Sequence, residues 1–268
     1  MKVQPNLRRI KSKLWLFLWV LLGIVAVLPV ISMVLEVVIR GLQGLSPVVL
    51  DQVSASSFGG NLIHAVAGTI VITLWTAAMS IPIALMVGVY LAEYPNYRFM
   101  YVLRGLVTTM ADLPAVIGGL FAFSFITKHS GDGAIMFSSI ALSFVLMPRL
   151  IRDTEQILRT VPSVIREGAL SIGATKRQLI FYVLLPSCFR LLVRQWLHGL
   201  ARVMGETAPL IFTSFNDQAL TLPLSTFTFA KGATQGSLLE AWGRSFLLLI
   251  FVSILLLVSK QISRRVVR

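Results

Sequence analysis

The sequence is poor in charge, in acidic residues and in cysteine. Of its 268 residues only 13% are charged, whereas an ordinary soluble domain carries about 25%. The single cysteine, Cys188, excludes an internal disulfide framework. No glycine-rich phosphate loop of the G-x-x-x-x-G-K-S/T type occurs, so the chain cannot hydrolyse ATP by that route. These absences argue against a soluble globular domain, a disulfide scaffold and a P-loop ATPase.

Apolar residues dominate what is present. They make up 56% of the chain, and the mean hydropathy is +0.82. A bilayer core needs roughly 20 apolar residues in a helix, and six stretches meet or approach that length. The sequence therefore predicts an all-α, polytopic membrane protein in which residues 1–268 form one transmembrane domain. The six predicted spans are Leu14–Ile39, Leu62–Leu91, Val102–Ile126, Ala134–Ile151, Phe189–Phe212 and residues 241–260.

The basic residues are distributed unevenly between the predicted loops. With residues 1–13 in the cytoplasm, 19 Lys and Arg residues fall on the inner side and three on the outer side. Cytoplasmic loops of membrane proteins carry such an excess of cations. We therefore expect both termini, including the tail at residues 261–268, to be cytoplasmic. The same asymmetry explains the sequence pI of about 10.7 without a nucleic-acid partner.

The predicted cytoplasmic loop between the fourth and fifth spans, residues 161–186, has helix signals of its own. Pro162 suits the first turn of a helix, and Gly173 can end that helix in a left-handed conformation. Thr175 and Gln178 then have the spacing of a capping box for a second helix. The pattern predicts a helix, a glycine turn and a second helix on the cytoplasmic face. An amphipathic loop that lies on lipid headgroups is the other reading of this pattern.

This loop resembles the "EAA" loop of permeases from bacterial ABC importers, which reads E-A-A, three residues, G, nine residues, I-x-L-P. The matching residues here are Glu167, Gly168, Ala169, Gly173, Val183, Leu185 and Pro186. Gly168 replaces the first alanine and Val183 the isoleucine. The resemblance implies the MetI-like permease fold and a coupling role in which the loop docks on an ATPase subunit. It assigns that coupling to Glu167, Gly168, Ala169, Gly173, Ala174 and Pro186.

A second segment narrows the resemblance. ARVMGETAPLIFTSF, residues 201–215, is similar to the A-R-x-x-G-E-T-A-P-L segment of PstA-type permeases of phosphate importers. That resemblance implies a heterodimer with a PstC-type permease, a PstB-type ATPase dimer and a PstS-type phosphate-binding protein. It also implies that ATP and Mg²⁺ bind to the ATPase, that this chain holds no cofactor, and that the chain itself is not an enzyme. The expected location is the bacterial inner membrane.

Four residues are candidates for the substrate pathway: Arg202, Glu206, Thr207 and Arg244. Ionisable groups inside a bilayer are costly and need a partner or a role. In a helix, Arg202 and Glu206 share one face and can pair, and a guanidinium fits two phosphate oxygens at once. Mutual neutralisation within the span is the alternative for this pair, and snorkelling to water is the alternative for Arg244.

Two further predictions concern the remaining ionisable residues. We expect Asp112, two residues before Pro114, to be the counter-ion of an arginine or a helix cap, because a free carboxylate would repel an anion. The three histidines lie in separate segments without a metal-ligand spacing, so no metal site is expected.

Three other functions stay open from the residues alone. A permease for another oxyanion, such as sulfate or molybdate, would use the same arginines. An ion-coupled secondary carrier would contain an inverted repeat, and none is evident in six unequal spans. An intramembrane enzyme for lipid phosphates would need a nucleophile and a base facing a cavity, which the sequence does not indicate.

Overall fold

The computed structural model describes residues 5–45, 62–94, 98–126, 134–213, 221–232 and 234–264. Within these ranges the secondary structure is helical. The helices, in chain order, are α1 Pro5–Gly44, α2 Leu62–Glu93, α3 Arg98–Asp112, α4 Ala115–Ile126, α5 Ala134–Arg159, α6 Ser163–Ser171, α7 Lys176–Val203, α8 Ala208–Thr213, α9 Leu222–Lys231 and α10 Gln235–Arg264.

Five of these helices are long and apolar enough to cross a membrane, namely α1, α2, α5, α7 and α10. The pair formed by α3 and α4 passes the same test together, but it is bent by 101° between Asp112 and Ala115. Counted as one broken span, the pair gives the six predicted spans. The bend interrupts the predicted third span Val102–Ile126 at Pro114, which cannot continue the hydrogen-bond ladder of α3.

The centre of the fold is the packing of α2 against α5. Small residues allow these two helices to approach closely, as is usual between helices in membranes. A Cβ atom on Gly88 of α2 would lie 2.6 Å from the Cβ atom of Thr154 on α5. Further along, the hydroxyl of Thr76 donates a hydrogen bond to the carbonyl of Ile72. The buried threonines of α2 are therefore satisfied within their own helix.

Helix α1 lies apart from this core. Its side chains from residue 11 to residue 36 are all exposed. Contact with α10 begins near the end of α1, where a Cβ atom on Gly44 would lie 2.0 Å from the carbonyl oxygen of Leu239. The absence of a side chain on Gly44 is what permits this approach of two backbones. The apolar surface of α1 is thus available to lipid or to another protein chain.

A second buried cluster closes the end of the molecule that carries α6. It consists of apolar side chains from the end of α5, the start of α7 and the segment between α5 and α6. We call this end of the molecule the loop end. The members of the cluster are Leu158, Val161, Leu179, Ile180, Leu184, Cys188 and Leu192.

The fifth span differs from its predicted course. Helix α7 begins at Lys176, inside the predicted loop 161–186, and ends at Val203, so the predicted span Phe189–Phe212 was wrong at both ends. Residues 204–207 interrupt the helix before α8 begins. Within α7, Leu179–Leu184 form a π-helical turn. Pro186 explains this turn, because it has no N–H group to donate and its ring would clash with the preceding carbonyl in a regular α-helix.

Candidate functional site

A cavity lined by three arginines lies between α3, α5 and α7. Its volume is about 390 Å³, which falls in the range of about 300–1,000 Å³ typical of small-molecule sites. Its arginines are Arg149 and Arg152 of α5 and Arg202 of α7. We call this space the arginine cavity. The other lining residues are Ala111, Asp112, Val145, Leu146, Asp153, Gln195, His198, Gly199 and Val203.

Several side chains that line the arginine cavity already form hydrogen bonds or ion pairs with one another or with the backbone. Arg152 Nη1 lies 3.6 Å from Asp112 Oδ1, which confirms the prediction that Asp112 is the counter-ion of an arginine. Arg149 Nε donates a hydrogen bond of 3.4 Å to the carbonyl of Ala111 at the end of α3. The amide of Gln195 donates to Asp153 over 2.9 Å. These contacts fix two of the three guanidinium groups near the bend between α3 and α4.

Arg202 differs from the other two arginines of the cavity. Its side chain is exposed, and no hydrogen bond or ion pair joins its guanidinium to another of the residues that the structure describes. The predicted pairing with Glu206 was wrong, because α7 ends at Val203 and Glu206 lies in the following turn rather than one helical turn further on. The donors of Arg202 are therefore available to an anion in the cavity.

Arg149 and Arg152 were not predicted as pathway residues. Both lie in the last three turns of α5, close to Ile151, where the sequence predicts the fourth span to end. The signal that could have found them is their spacing. Residues three and four apart share one face of a helix, so Arg149, Arg152 and Asp153 point to one side of a helix that continues to Arg159.

The remaining predicted pathway residues lie outside the lining of the arginine cavity. Thr207 is half-buried, and its carbonyl accepts hydrogen bonds from the backbone N–H groups of Leu210 and Ile211 at the start of α8. Arg244 of α10 is buried, with Nη2 3.9 Å from Glu240 Oε2 and its guanidinium 4.3 Å from the ring centre of Phe229. The sequence left open that Arg244 extends to water by snorkelling; this alternative is wrong, because the side chain is buried.

The helix–turn–helix in the predicted loop forms as the sequence indicates. Helix α6 ends in a Schellman motif, in which the N–H of Ala174 donates to Ala169 and that of Gly173 donates to Leu170. Gly173 has φ of +87°, the left-handed conformation that this motif requires. The predicted capping box between Thr175 and Gln178 is present at the start of α7. Local sequence therefore determines the angle between α6 and α7.

The surface of this loop carries several exposed apolar side chains. None of the residues of α6 is buried, and a group of large apolar side chains on α6 and on the first turns of α7 is exposed. Exposed apolar patches of this kind mark interaction sites. We call this group the loop patch; its members are Val164, Ile165, Leu170, Ile172, Phe181 and Tyr182.

The predicted coupling residues divide between this surface and the interior. Glu167, Gly168 and Gly173 are exposed, and a Cβ atom on either glycine would meet nothing within 4 Å. Ala169 is half-buried and packs against the apolar cluster of the loop end. Ala174 is also half-buried, and Pro186 is exposed on α7. The glycines therefore lie on the exposed surface of the loop, and the alanines lie on its half-buried side.

Apolar spans around a charged cavity, together with an exposed helical loop, indicate a polytopic membrane protein with a solute-sized cavity rather than a globular one. The match to a known family agrees with this class. A family model described as "Binding-protein-dependent transport system inner membrane component" matches residues 84–268. The chain belongs to this family.

Curated relatives resemble the chain over most of its length. A "Phosphate transport system permease protein PstA" of Xylella fastidiosa is 33% identical over 72% of this chain and 71% of its own length. A "Probable phosphate transport system permease protein PstA" of Methanocaldococcus jannaschii is 27% identical over 91% of each chain. A PstA protein of Mycobacterium leprae is 29% identical over 92% of this chain and 86% of its own length.

Solved structures of transporters share the fold. A bacterial alginate ABC transporter chain superposes with a TM-score of 0.74 at 13% identity, covering 97% of both chains. A chain of the MetNI methionine ABC transporter, described as inward facing, superposes with a TM-score of 0.63 at 19% identity over 77% of this chain and 94% of its own. The predicted all-α, MetI-like permease fold is confirmed.

Proposed function

We propose that this chain forms half of the translocation pathway of an ATP-driven importer of inorganic phosphate. The arginine cavity carries this proposal. Three guanidinium groups face one space between the spans, and a guanidinium binds tetrahedral oxyanions through paired, charge-assisted hydrogen bonds. The phosphate permeases to which the chain is similar support phosphate over other oxyanions.

The charges of the arginine cavity favour weak, reversible binding of an anion, as transport requires, over tight binding. Its three arginines face two carboxylates, Asp112 and Asp153, so the excess of positive charge is small. Asp112 lies close enough to Arg152 to compete with an anion for that guanidinium. An anion would therefore be attracted to Arg202 first and could leave again. His198, four residues before Arg202 on α7, lies on the same side of the cavity.

The partners follow from the same proposal. A PstC-type permease would supply the second half of the pathway, two PstB-type ATPase subunits would bind ATP and Mg²⁺, and a PstS-type protein would deliver phosphate. The loop end would face the cytoplasm, as would both termini, in keeping with the excess of cations there. The chain itself would hold no cofactor.

The loop patch supports docking of the ATPase on α6. Apolar side chains around Glu167 and Gly168 offer a surface that a groove can cover, and no residue of α6 is buried. When ATP closes the ATPase dimer, α6 would move with it, and α7 would follow because the two helices are joined by the short turn at Gly173. The opposite end of the pathway would open, and hydrolysis would reset it.

A transport assay tests the substrate. The complete complex, purified with its partners and placed in liposomes, is expected to take up radioactive phosphate in an ATP-dependent manner. About a tenfold excess of sulfate or molybdate should leave this uptake almost unchanged, because specificity reflects a difference between affinities. Uptake of sulfate or molybdate in place of phosphate, or uptake without ATP, would contradict the proposal.

A substitution at Gly173 tests the coupling role of the loop. Gly173→Val places a β-branched residue at φ of +87°, a conformation that costs a side-chain-bearing residue about 1–2 kcal/mol. The strain should change the angle between α6 and α7 and lower the phosphate transported per ATP hydrolysed by about tenfold. Gly23→Val is the matched control, since nothing lies within 4 Å of a Cβ atom on that exposed residue. Normal coupling in the Gly173 variant would refute the docking role.

A further inference from the structure

Two cationic side chains fasten the predicted coupling loop to a single residue at the end of α2. Arg166 of α6 places Nε 3.1 Å from Oε1 of Glu93. Lys176, the first residue of α7, donates a hydrogen bond to the backbone carbonyl of Glu93 and lies 4.2 Å from the ring centre of Tyr94. Glu93 is the last residue of α2 and is buried. Both helices of the loop are thus attached to the same point.

Arg166 also binds the last turn of α5 and the segment that follows it. Its two terminal nitrogens donate hydrogen bonds to the carbonyls of Leu158 and Val161. The last carbonyls of a helix have no partner within the helix, so a guanidinium is well placed to satisfy them. One side chain therefore joins three helices, α6, α2 and α5. Among the residues that the structure describes, this ion pair joins α6 directly to α2.

A second buried carboxylate continues the network toward the arginine cavity. Glu155 of α5 accepts from Arg104 of α3 over 2.7 Å and from Arg159 over 2.8 Å. Arg104 also donates to the carbonyl of Leu91, two residues before Glu93. Helix α3, which carries Arg104, ends at Asp112 on the wall of the arginine cavity. Two sets of hydrogen bonds, joined by the backbone of α2 between Leu91 and Glu93, thus link α6 to the helix that lines the candidate site.

We propose that Arg166 and Glu93 are positioning residues that transmit the movement of α6 to α2 and, through Leu91 and Arg104, to the arginine cavity. This inference deepens the proposed function and rests on it. The apolar cluster at the loop end holds α7 against α5 whether or not the ion pair is present. Loss of the pair should therefore leave the chain folded and able to bind its partners, but it should separate the motion of α6 from that of α2.

The test is a double-mutant cycle in the complete transporter in liposomes, with Arg166→Gln, Glu93→Gln and the combined variant. Three quantities are measured: the amount of assembled complex, ATP hydrolysis, and phosphate transported per ATP. Arg166→Gln is expected to lower the last quantity by about tenfold or more, with hydrolysis and assembly within about twofold of the unmodified complex. The double variant should be no worse than Arg166→Gln alone, because residues acting through one contact are not additive.

Two further variants sharpen the result. Arg166→Lys keeps the charge toward Glu93 but cannot reach both carbonyls at once, so it should recover part of the coupling. Arg40→Gln removes the arginine of another Glu–Arg pair, the exposed pair Arg40–Glu36 on α1, and should leave coupling unchanged.

Three results would overturn the inference. The first is coupling within about twofold of normal in both single variants. The second is a double variant in which the two losses of phosphate transported per ATP multiply. The third is a parallel fall of assembly, hydrolysis and uptake, which would show that the pair only stabilises the structure. Failure of the proposed function is visible earlier, in the unmodified complex, which would then carry a different anion. The same ratio can be measured with that anion, so the two failures are distinguishable.

Discussion

Arg202→Gln is expected to lower phosphate uptake by at least about 100-fold while the amount of protein in the membrane stays within about twofold of normal. The guanidinium of Arg202 faces the arginine cavity without an ion-pair partner among the described residues. Two charge-assisted hydrogen bonds to an oxyanion contribute about 1.5–3 kcal/mol each. Since about 1.4 kcal/mol corresponds to a factor of ten, the loss of both supports an effect of this size.

The measurement compares initial uptake of radioactive phosphate with membrane abundance from immunoblots. Arg202→Lys should be less harmful, because it keeps the charge and loses the planar pair of donors. The control is Arg40→Gln, which removes an exposed arginine of α1 outside the cavity. An equal fall in abundance and uptake for Arg202→Gln would favour a packing role, and normal uptake would remove Arg202 from the pathway.

Gly119→Ala is expected to destabilise the protein more than any other single methyl addition to α4. A Cβ atom on Gly119 would lie 2.5 Å from the Cα atom and 2.9 Å from the carbonyl oxygen of Pro209 in α8. These are backbone atoms, so the two helices must separate. Overpacking of this kind costs about 1–3 kcal/mol, which exceeds the gain of about 0.5–1 kcal/mol from replacing glycine in a helix.

Thermal unfolding in detergent measures this effect, and two other glycines, one in α4 and one in α3, supply the controls. A Cβ atom on Gly118 would lie 3.2 Å from Cγ2 of the Val145 side chain, a looser contact than that of Gly119, whereas one on Gly105 would meet nothing within 4 Å. The order of stability should therefore be Gly105→Ala above Gly118→Ala above Gly119→Ala. A Gly119 variant as stable as the Gly105 variant would show that α4 and α8 do not pack as described.

The parts of the fold that sequence could predict are those set by composition and by local signals. Six apolar stretches give the number of spans, and the capping box at Thr175 and the glycine at position 173 give the helix–turn–helix. Such features depend on residues a few positions apart. The chemistry of Asp112 could also be predicted, because an isolated carboxylate near an anion path needs a cation.

The parts that could not be predicted depend on tertiary packing. Pro114 indicates an interruption, but the bend of 101° depends on how α4 packs against α8 and α5. The end of α7 at Val203 separates Arg202 from Glu206, although their spacing alone suggests a pair. Arg149 and Arg152 are charged residues at the end of an apolar run, so a hydropathy pattern places them at the boundary between the fourth span and the following loop. Packing against α3 and α7 instead places them at the arginine cavity.

The π-turn of α7 sets the relative rotation of its two ends. A regular helix turns by about 100° per residue, and a π-turn accommodates one additional residue in a single turn. The direction in which Arg202 projects from α7, relative to the residues at the start of that helix, therefore depends on the turn Leu179–Leu184. If this turn tightened to a regular helix, the far end of α7 would rotate like a screw and carry its guanidinium around the helix axis.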